Sequence, residues 1–162
     1  MTINVGEHLP SVKLTHVTPD GPKPIDTKDY FAGRTIVLFG LPGAFTPTCH
    51  KNHLPGFIVN EAVFKAKGVD AIAMTSVNDP FVLSAWSDAT GAKGHIDFLA
   101  DGSGHFAKAV GLDLDLGERG MGLRSKRYSM LVVDGVVKEL NIEPNPGQAD
   151  KSSAEHILGQ IG

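Results

Sequence analysis

The sequence predicts an α/β protein: a mixed central β-sheet flanked by helices. Three observations predict it. Short, nearly continuous apolar runs read as strands buried on both faces. The segments between them carry helix caps and stops. Near the C-terminus two apolar runs flank Asp134-Gly135, a hairpin signature, so the sheet has an antiparallel part as well as a parallel one.

The elements follow in order. Arg34–Leu41 (RTIVLFGL) is a buried central strand, followed by a loop and a helix beginning near Thr46. Asn60–Gly68 is helical and stops at glycine. Val69–Val77 (VDAIAMTSV) is a second buried strand. Asp79–Gly91 is a helix with an Asp cap, Pro80 at the first helical position and glycine at the end. His95–Asp101 is a short strand and Ser103–Leu112 a short helix. Tyr128–Ile142 is the hairpin, and Ser152–Ile161, with a Ser cap and an apolar face, is a closing helix. No repeat, linker or low-complexity tract interrupts this order, so residues 1–162 are expected to form one domain.

Composition narrows the function. The chain has 41% hydrophobic and 20% charged residues and a net charge of -3, ordinary values for a globular protein. It has no basic run, which argues against nucleic acid as a partner. No apolar stretch approaches the ~20 residues that span a bilayer. The N-terminus has neither the basic nor the apolar region of a secretory signal. A single cysteine cannot close an intramolecular disulfide, so a reducing compartment, most simply the cytoplasm, is expected.

That cysteine, Cys49, lies in PGAFTPTCHKNHLPG, directly after the first central strand. Sites in open α/β sheets cluster at the carboxyl ends of strands. With Thr46 as cap and Pro47 at the first helical position, Cys49 falls in the first turn of a helix. Free backbone N–H groups and the positive end of the helix dipole favour a thiolate there. The residue three before it is Thr46, not cysteine, so disulfide cycling within the turn is excluded, whereas a hydroxyl can hydrogen-bond an oxygen-bearing substrate. The plain alternatives are a buried structural cysteine and a Thr46 that only caps.

Pro42-Gly43-Ala44-Phe45-Thr46-Pro47-Thr48-Cys49 resembles the active-site signature of the peroxiredoxins, and PGAFTPTC…HLPGF resembles the type II, or peroxiredoxin 5, subfamily. GEHLP, SVNDPFV and KRYSMLVVDGVVKELNIEP extend the likeness over almost the whole chain. The resemblance implies a thioredoxin-like fold and a thiol-dependent peroxidase acting on hydrogen peroxide and alkyl hydroperoxides, without a bound cofactor. It implies that Cys49 is the peroxidatic cysteine, that Thr46 orients the peroxide, that Arg124 stabilises the thiolate and the transition state, and that Pro42 shields the sulfur. Arg119 and Arg127 compete with Arg124, and only the family alignment selects Arg124. His53 would share a helix face with Cys49, while His50 is expected at the surface. Phe45, Phe81 and Trp86 are expected in the core or in a homodimer contact.

Many family members carry a second, resolving cysteine. The segment where the subfamily can hold it reads EPNPGQADKSSAEHIL here and has none. The expected cycle therefore uses an external thiol, either glutathione with a glutaredoxin or thioredoxin. A sulfenic acid without a resolving neighbour is also open to over-oxidation. Three rival readings remain: a Cys–His hydrolase with His53 as base, a metal site on Cys49, His50 and His53, and a non-catalytic binding module.

Overall fold

The buried runs of the sequence become the centre of a seven-stranded sheet in this computed structural model, which describes residues 1–161. The strands are β1 (Lys13–Thr18), β2 (Gly21–Asp26), β3 (Thr35–Gly40), β4 (Ala71–Ser76), β5 (Asp97–Ala100), β8 (Tyr128–Val133) and β9 (Val136–Ile142), in the order β2-β1-β5-β4-β3-β8-β9. β3, β4 and β5 are parallel, and the remaining pairings are antiparallel. A separate antiparallel pair is formed by β6 (Asp113–Leu116) and β7 (Gly122–Ser125).

The helices are α1 (Thr27–Phe31), α2 (Leu54–Val59), α3 (Glu61–Ala66), α4 (Pro80–Thr90), α5 (His105–Ala109) and α6 (Ala154–Gln160). Strand alternation sends side chains to two apolar layers. One joins Val37, Phe39, Ile72 and Met74 to α2, α3, α4 and α6 through Phe57, Phe64, Trp86 and Ile157. The other joins Ile36, Leu38, Ala73 and Met130 to α1 and α5 through Phe31 and Phe106. Cys49 belongs to the first layer.

The expected elements are present, with local signals at work. Asp79 accepts from the N–H groups of Phe81 and Val82, and Gly91 ends α4 in a left-handed conformation. Asp134 and Gly135 both have positive φ (49° and 77°), as a two-residue turn of this hand requires. Four strands and one helix were not expected. β2 is an edge strand, where its Pro22 and Pro24 are tolerated, and β1 lies between it and β5. α1 has five residues, too few for a periodic signal, and β6 and β7 are short and half-exposed.

One register decides where the site forms. β8 runs antiparallel to β3, with Gly40 opposite Tyr128. A Cβ at Gly40 would run into the Tyr128 ring, so glycine lets the two strands meet here. The residue before β8 is therefore delivered to the loop after β3.

Candidate active site

The loop after β3 is pinned by Asn78, whose side chain accepts from the Ala44 N–H at 3.0 Å and from the Ser76 hydroxyl at 2.8 Å. Phe45 then takes a positive φ of 63°, and Pro47 and Thr48 begin a helical turn. The expected side-chain cap is absent: Thr46 donates its hydroxyl to the Gly43 carbonyl at 2.7 Å. Its backbone carbonyl accepts from the His50 N–H at 2.9 Å. The N–H of Cys49 thus precedes that first helical bond, as expected for a first-turn residue.

Cys49–His53 is a π-helical turn, with the Leu54 N–H donating to the Cys49 carbonyl. Pro55 explains it. In a regular α-helix its ring would press on the carbonyl four residues earlier, and it has no N–H to donate. The wider turn relieves both problems and keeps Cys49 and His53 on one buried face.

The arginine expectation needs correction. The guanidinium on the sulfur belongs to Arg127, whose Nη2 donates to Cys49 Sγ at 2.9 Å. Arg127 is 2% exposed. Its Nη1 donates to His53 Nδ1 at 2.8 Å and its Nε to the Pro146 carbonyl at 3.0 Å. Arg124, the residue selected by the resemblance, instead donates Nε to the Met121 carbonyl at 2.9 Å and Nη1 to the Pro42 carbonyl at 3.3 Å. The physical reason is the β3–β8 register: Arg127 immediately precedes β8 and so reaches the end of β3, whereas Arg124 sits in β7. Arg124 braces the Pro42 carbonyl at the edge of the site. No local signal in the sequence singles out Arg127; the β3–β8 pairing does.

The other residues divide clearly. Cys49 is fully buried and Pro42 is buried, while Thr46 is half-buried. Pro42, Thr46, Leu116, Met121, Arg127 and Pro146 are among the residues lining a cleft of about 190 Å³, with the exposed Arg119 at its rim. His50 is half-buried and accepts from the indole N–H of Trp86 at 2.9 Å, so it is not a free surface histidine. Trp86 is core, whereas Phe45 and Phe81 are 51% and 73% exposed.

His53 has both ring nitrogens engaged. Nε2 donates to the Ser152 carbonyl at 3.0 Å, because a carbonyl can only accept; Nδ1 accepts from Arg127, because a guanidinium can only donate. Burial, reinforced by the Arg127 cation, pushes its pKa down to about 3. A neutral ring held this way is no general base for the sulfur, which removes the geometry the hydrolase reading needs. The same bonds, and that from Trp86 to His50, turn these histidines away from a shared metal. Among the described residues no group of three His, Cys, Asp or Glu side chains could hold a metal ion.

The buried histidine has a consequence for acid stability. Its folded pKa lies below the unfolded value near 6.5, so between the two the unfolded chain binds a proton that the native chain excludes. The stability contribution is full above about pH 6.5 and declines as pH falls toward about 3, by up to ~1.4 kcal/mol per pH unit. Urea unfolding near pH 7 and near pH 4.5 should show this slope in the wild type and a shallower one in His53→Asn. Equal slopes would refute it.

Among known proteins, residues 4–158 match the Redoxin family. The chain is 46% identical over 157 residues to peroxiredoxin-2C of Oryza sativa subsp. japonica, covering 96% of each chain. The crystal structure of reduced Prx3 from Vibrio vulnificus in complex with hydrogen peroxide has a TM-score of 0.94 and 46% identity, covering 99% of this chain and 100% of that one. Peroxiredoxin 5 from Alvinella pompejana has a TM-score of 0.86 and 34% identity, with 98% and 97% covered.

Proposed function

This chain belongs to the redoxin family and is a type II peroxiredoxin, a thiol peroxidase; from that premise we propose that Cys49 reduces peroxides in a one-cysteine cycle completed by an external thiol. The observation that carries the reading is the Arg127 guanidinium donating to the buried Cys49 sulfur at 2.9 Å. A cation and hydrogen-bond donor placed there stabilises a thiolate and the charge that spreads over sulfur and oxygens as they react.

The Thr46 hydroxyl proton is spent on the Gly43 carbonyl. Its oxygen is left to accept the O–H of the incoming peroxide, turning one peroxide oxygen toward the sulfur. The thiolate attacks that oxygen, the O–O bond breaks, and the leaving oxygen takes a proton to depart as water or an alcohol. Cys49 is left as sulfenic acid. Pro42, buried beside the cleft, limits water around the sulfur. The apolar walls from Leu116, Met121 and Pro146 suit small alkyl hydroperoxides as well as hydrogen peroxide, and the related Vibrio protein was crystallised with hydrogen peroxide.

Glutathione, with a glutaredoxin, returns the enzyme to the thiol. Its thiolate attacks the sulfenic sulfur, releasing water and forming a mixed disulfide, and a second thiol then reduces that bond. Thioredoxin is the alternative donor. The cycle operates in a reducing compartment such as the cytoplasm, and the exposed Phe45, Phe81 and Val82 provide apolar surface for a homodimer.

Mass spectrometry after one equivalent of peroxide, with glutathione present, should find a single adduct, on Cys49. Steady-state turnover with glutathione/glutaredoxin and with thioredoxin then names the donor. The absence of both an adduct and a trappable sulfenic acid would end this reading.

A further inference from the structure

We propose that Glu143 is a positioning residue for Cys49, acting through Ser152, His53 and Arg127. The inference rests on the reading of Cys49 as the peroxide-reducing sulfur. Glu143 directly follows β9, and its own N–H donates to the Arg127 carbonyl at 2.9 Å. Its side chain is buried and points at the segment leading into α6. One carboxylate oxygen accepts from the Lys151 N–H at 3.1 Å; the other accepts from the Ser152 N–H at 2.9 Å and the Ser152 hydroxyl at 2.8 Å. Three donors on one carboxylate hold Ser152 by its own N–H and hydroxyl and by the N–H before it, and so restrict where its carbonyl can point.

The far side of that residue faces the site. The Ser152 carbonyl takes the Nε2 proton of His53 and so keeps the Nδ1 lone pair toward Arg127. Arg127 is held twice by this segment: through His53, and directly by the Pro146 carbonyl. Its remaining Nη2 then has one direction left, toward the sulfur. If the Ser152 carbonyl swings away, His53 can carry its proton on Nδ1 instead. Two N–H groups would then oppose each other, and the guanidinium would have to leave its place on Cys49. The buried carboxylate thus selects a tautomer two residues removed from the reacting atom.

Glu143→Gln tests this with little change of shape. The amide NH2 must face the backbone N–H of either Lys151 or Ser152, neither of which can accept. The wild type should show His53 neutral with its proton on Nε2 by nitrogen NMR of the imidazole. The folded variant should show loss of that single tautomer, together with a roughly tenfold slower oxidation of Cys49, the lower end of the loss that follows removal of a partner that orients a functional group. A second pair does not touch Glu143. In His53→Asn the amide oxygen lies where Nδ1 was and still accepts from Arg127, but the link to Ser152 is lost, so the rate should fall less than in the glutamine variant. In His53→Gln the amide reaches Ser152 but leaves Arg127 without its acceptor, so the rate should fall about tenfold.

Equal rates in the Asn and Gln variants, a wild-type proton on Nδ1, or a folded Glu143→Gln with the wild-type rate would each overturn the proposal. If Glu143→Gln does not fold, Glu143→Asp replaces it: the shorter carboxylate keeps the charge but cannot hold the N–H groups of Lys151 and Ser152 and the Ser152 hydroxyl together, so the same loss of tautomer and rate is expected, and a wild-type rate overturns the proposal. A wild-type Cys49 inert to peroxide, with His53 still in its Nε2 form, would instead count against the functional reading.

Discussion

Cys49→Ser lowers peroxide turnover to the solution background with either thiol donor, a fall of at least about a thousandfold, or roughly 4 kcal/mol of barrier. The reason is chemical, not steric. A hydroxyl in the same place remains protonated near neutrality and cannot accept an oxygen atom as sulfur does. The replacement is close in size, and Arg127 can donate to the serine oxygen as it does to the sulfur. Folding should therefore be retained, and a thermal melt within a few degrees of the wild type separates lost chemistry from lost structure. Peroxide consumption is the assay, run with glutathione/glutaredoxin and with thioredoxin. Alkylation of the wild type should have the same effect, because the chain has no other cysteine. Substantial turnover in the serine variant would mean that the peroxide reacts elsewhere, and would restore the non-catalytic reading of this fold.

The placement of that sulfur was legible because the signals around it are local. A buried run predicts β3, Thr-Pro predicts the start of a helix, and the cysteine follows within one turn. Asp79 and Gly91 bounded α4, and Asp134-Gly135 set the hairpin, for the same reason: each acts on backbone within a few residues. The arginine was not legible in this way. Arg119, Arg124 and Arg127 lie within nine positions, and spacing along the chain does not tell them apart. What does is the pairing of Gly40 with Tyr128, a contact between residues 88 positions apart. The support behind Arg127 is equally non-local, since His53 and Ser152 are 99 residues apart in sequence. The π turn was missed because the sequence signal, Pro55, lies after the stretch it reshapes. β1 and β2 are not legible because half-exposed strands carry little apolar alternation, and two prolines in β2 argue against a strand except at an edge, where β2 lies.

Arg127→Ala slows Cys49 oxidation by about a hundred- to a thousandfold, the range for losing one preorganised donor at a developing negative charge. Arg124→Ala should cost less than about tenfold, since its guanidinium touches the Pro42 and Met121 carbonyls, and the charge it lends the sulfur acts only at a distance. Trp86 is a built-in reporter: it is the single tryptophan and bonds His50, the residue after Cys49. Stopped-flow fluorescence against peroxide concentration then gives the second-order constant for each variant. The alanine also leaves His53 Nδ1 and the Pro146 carbonyl without their donor, at a stability cost of about 1–3 kcal/mol. Arg127→Lys separates the two effects. It keeps the charge but replaces a planar fork with a single ammonium, which cannot hold sulfur, imidazole and carbonyl together in the same geometry. If geometry matters as much as charge, lysine recovers only part of the rate. If charge alone matters, it recovers nearly all of it. A larger loss in Arg124→Ala than in Arg127→Ala would overturn the assignment, because a sulfur stabilised mainly from Arg124 would require a guanidinium that leaves Pro42 during the reaction.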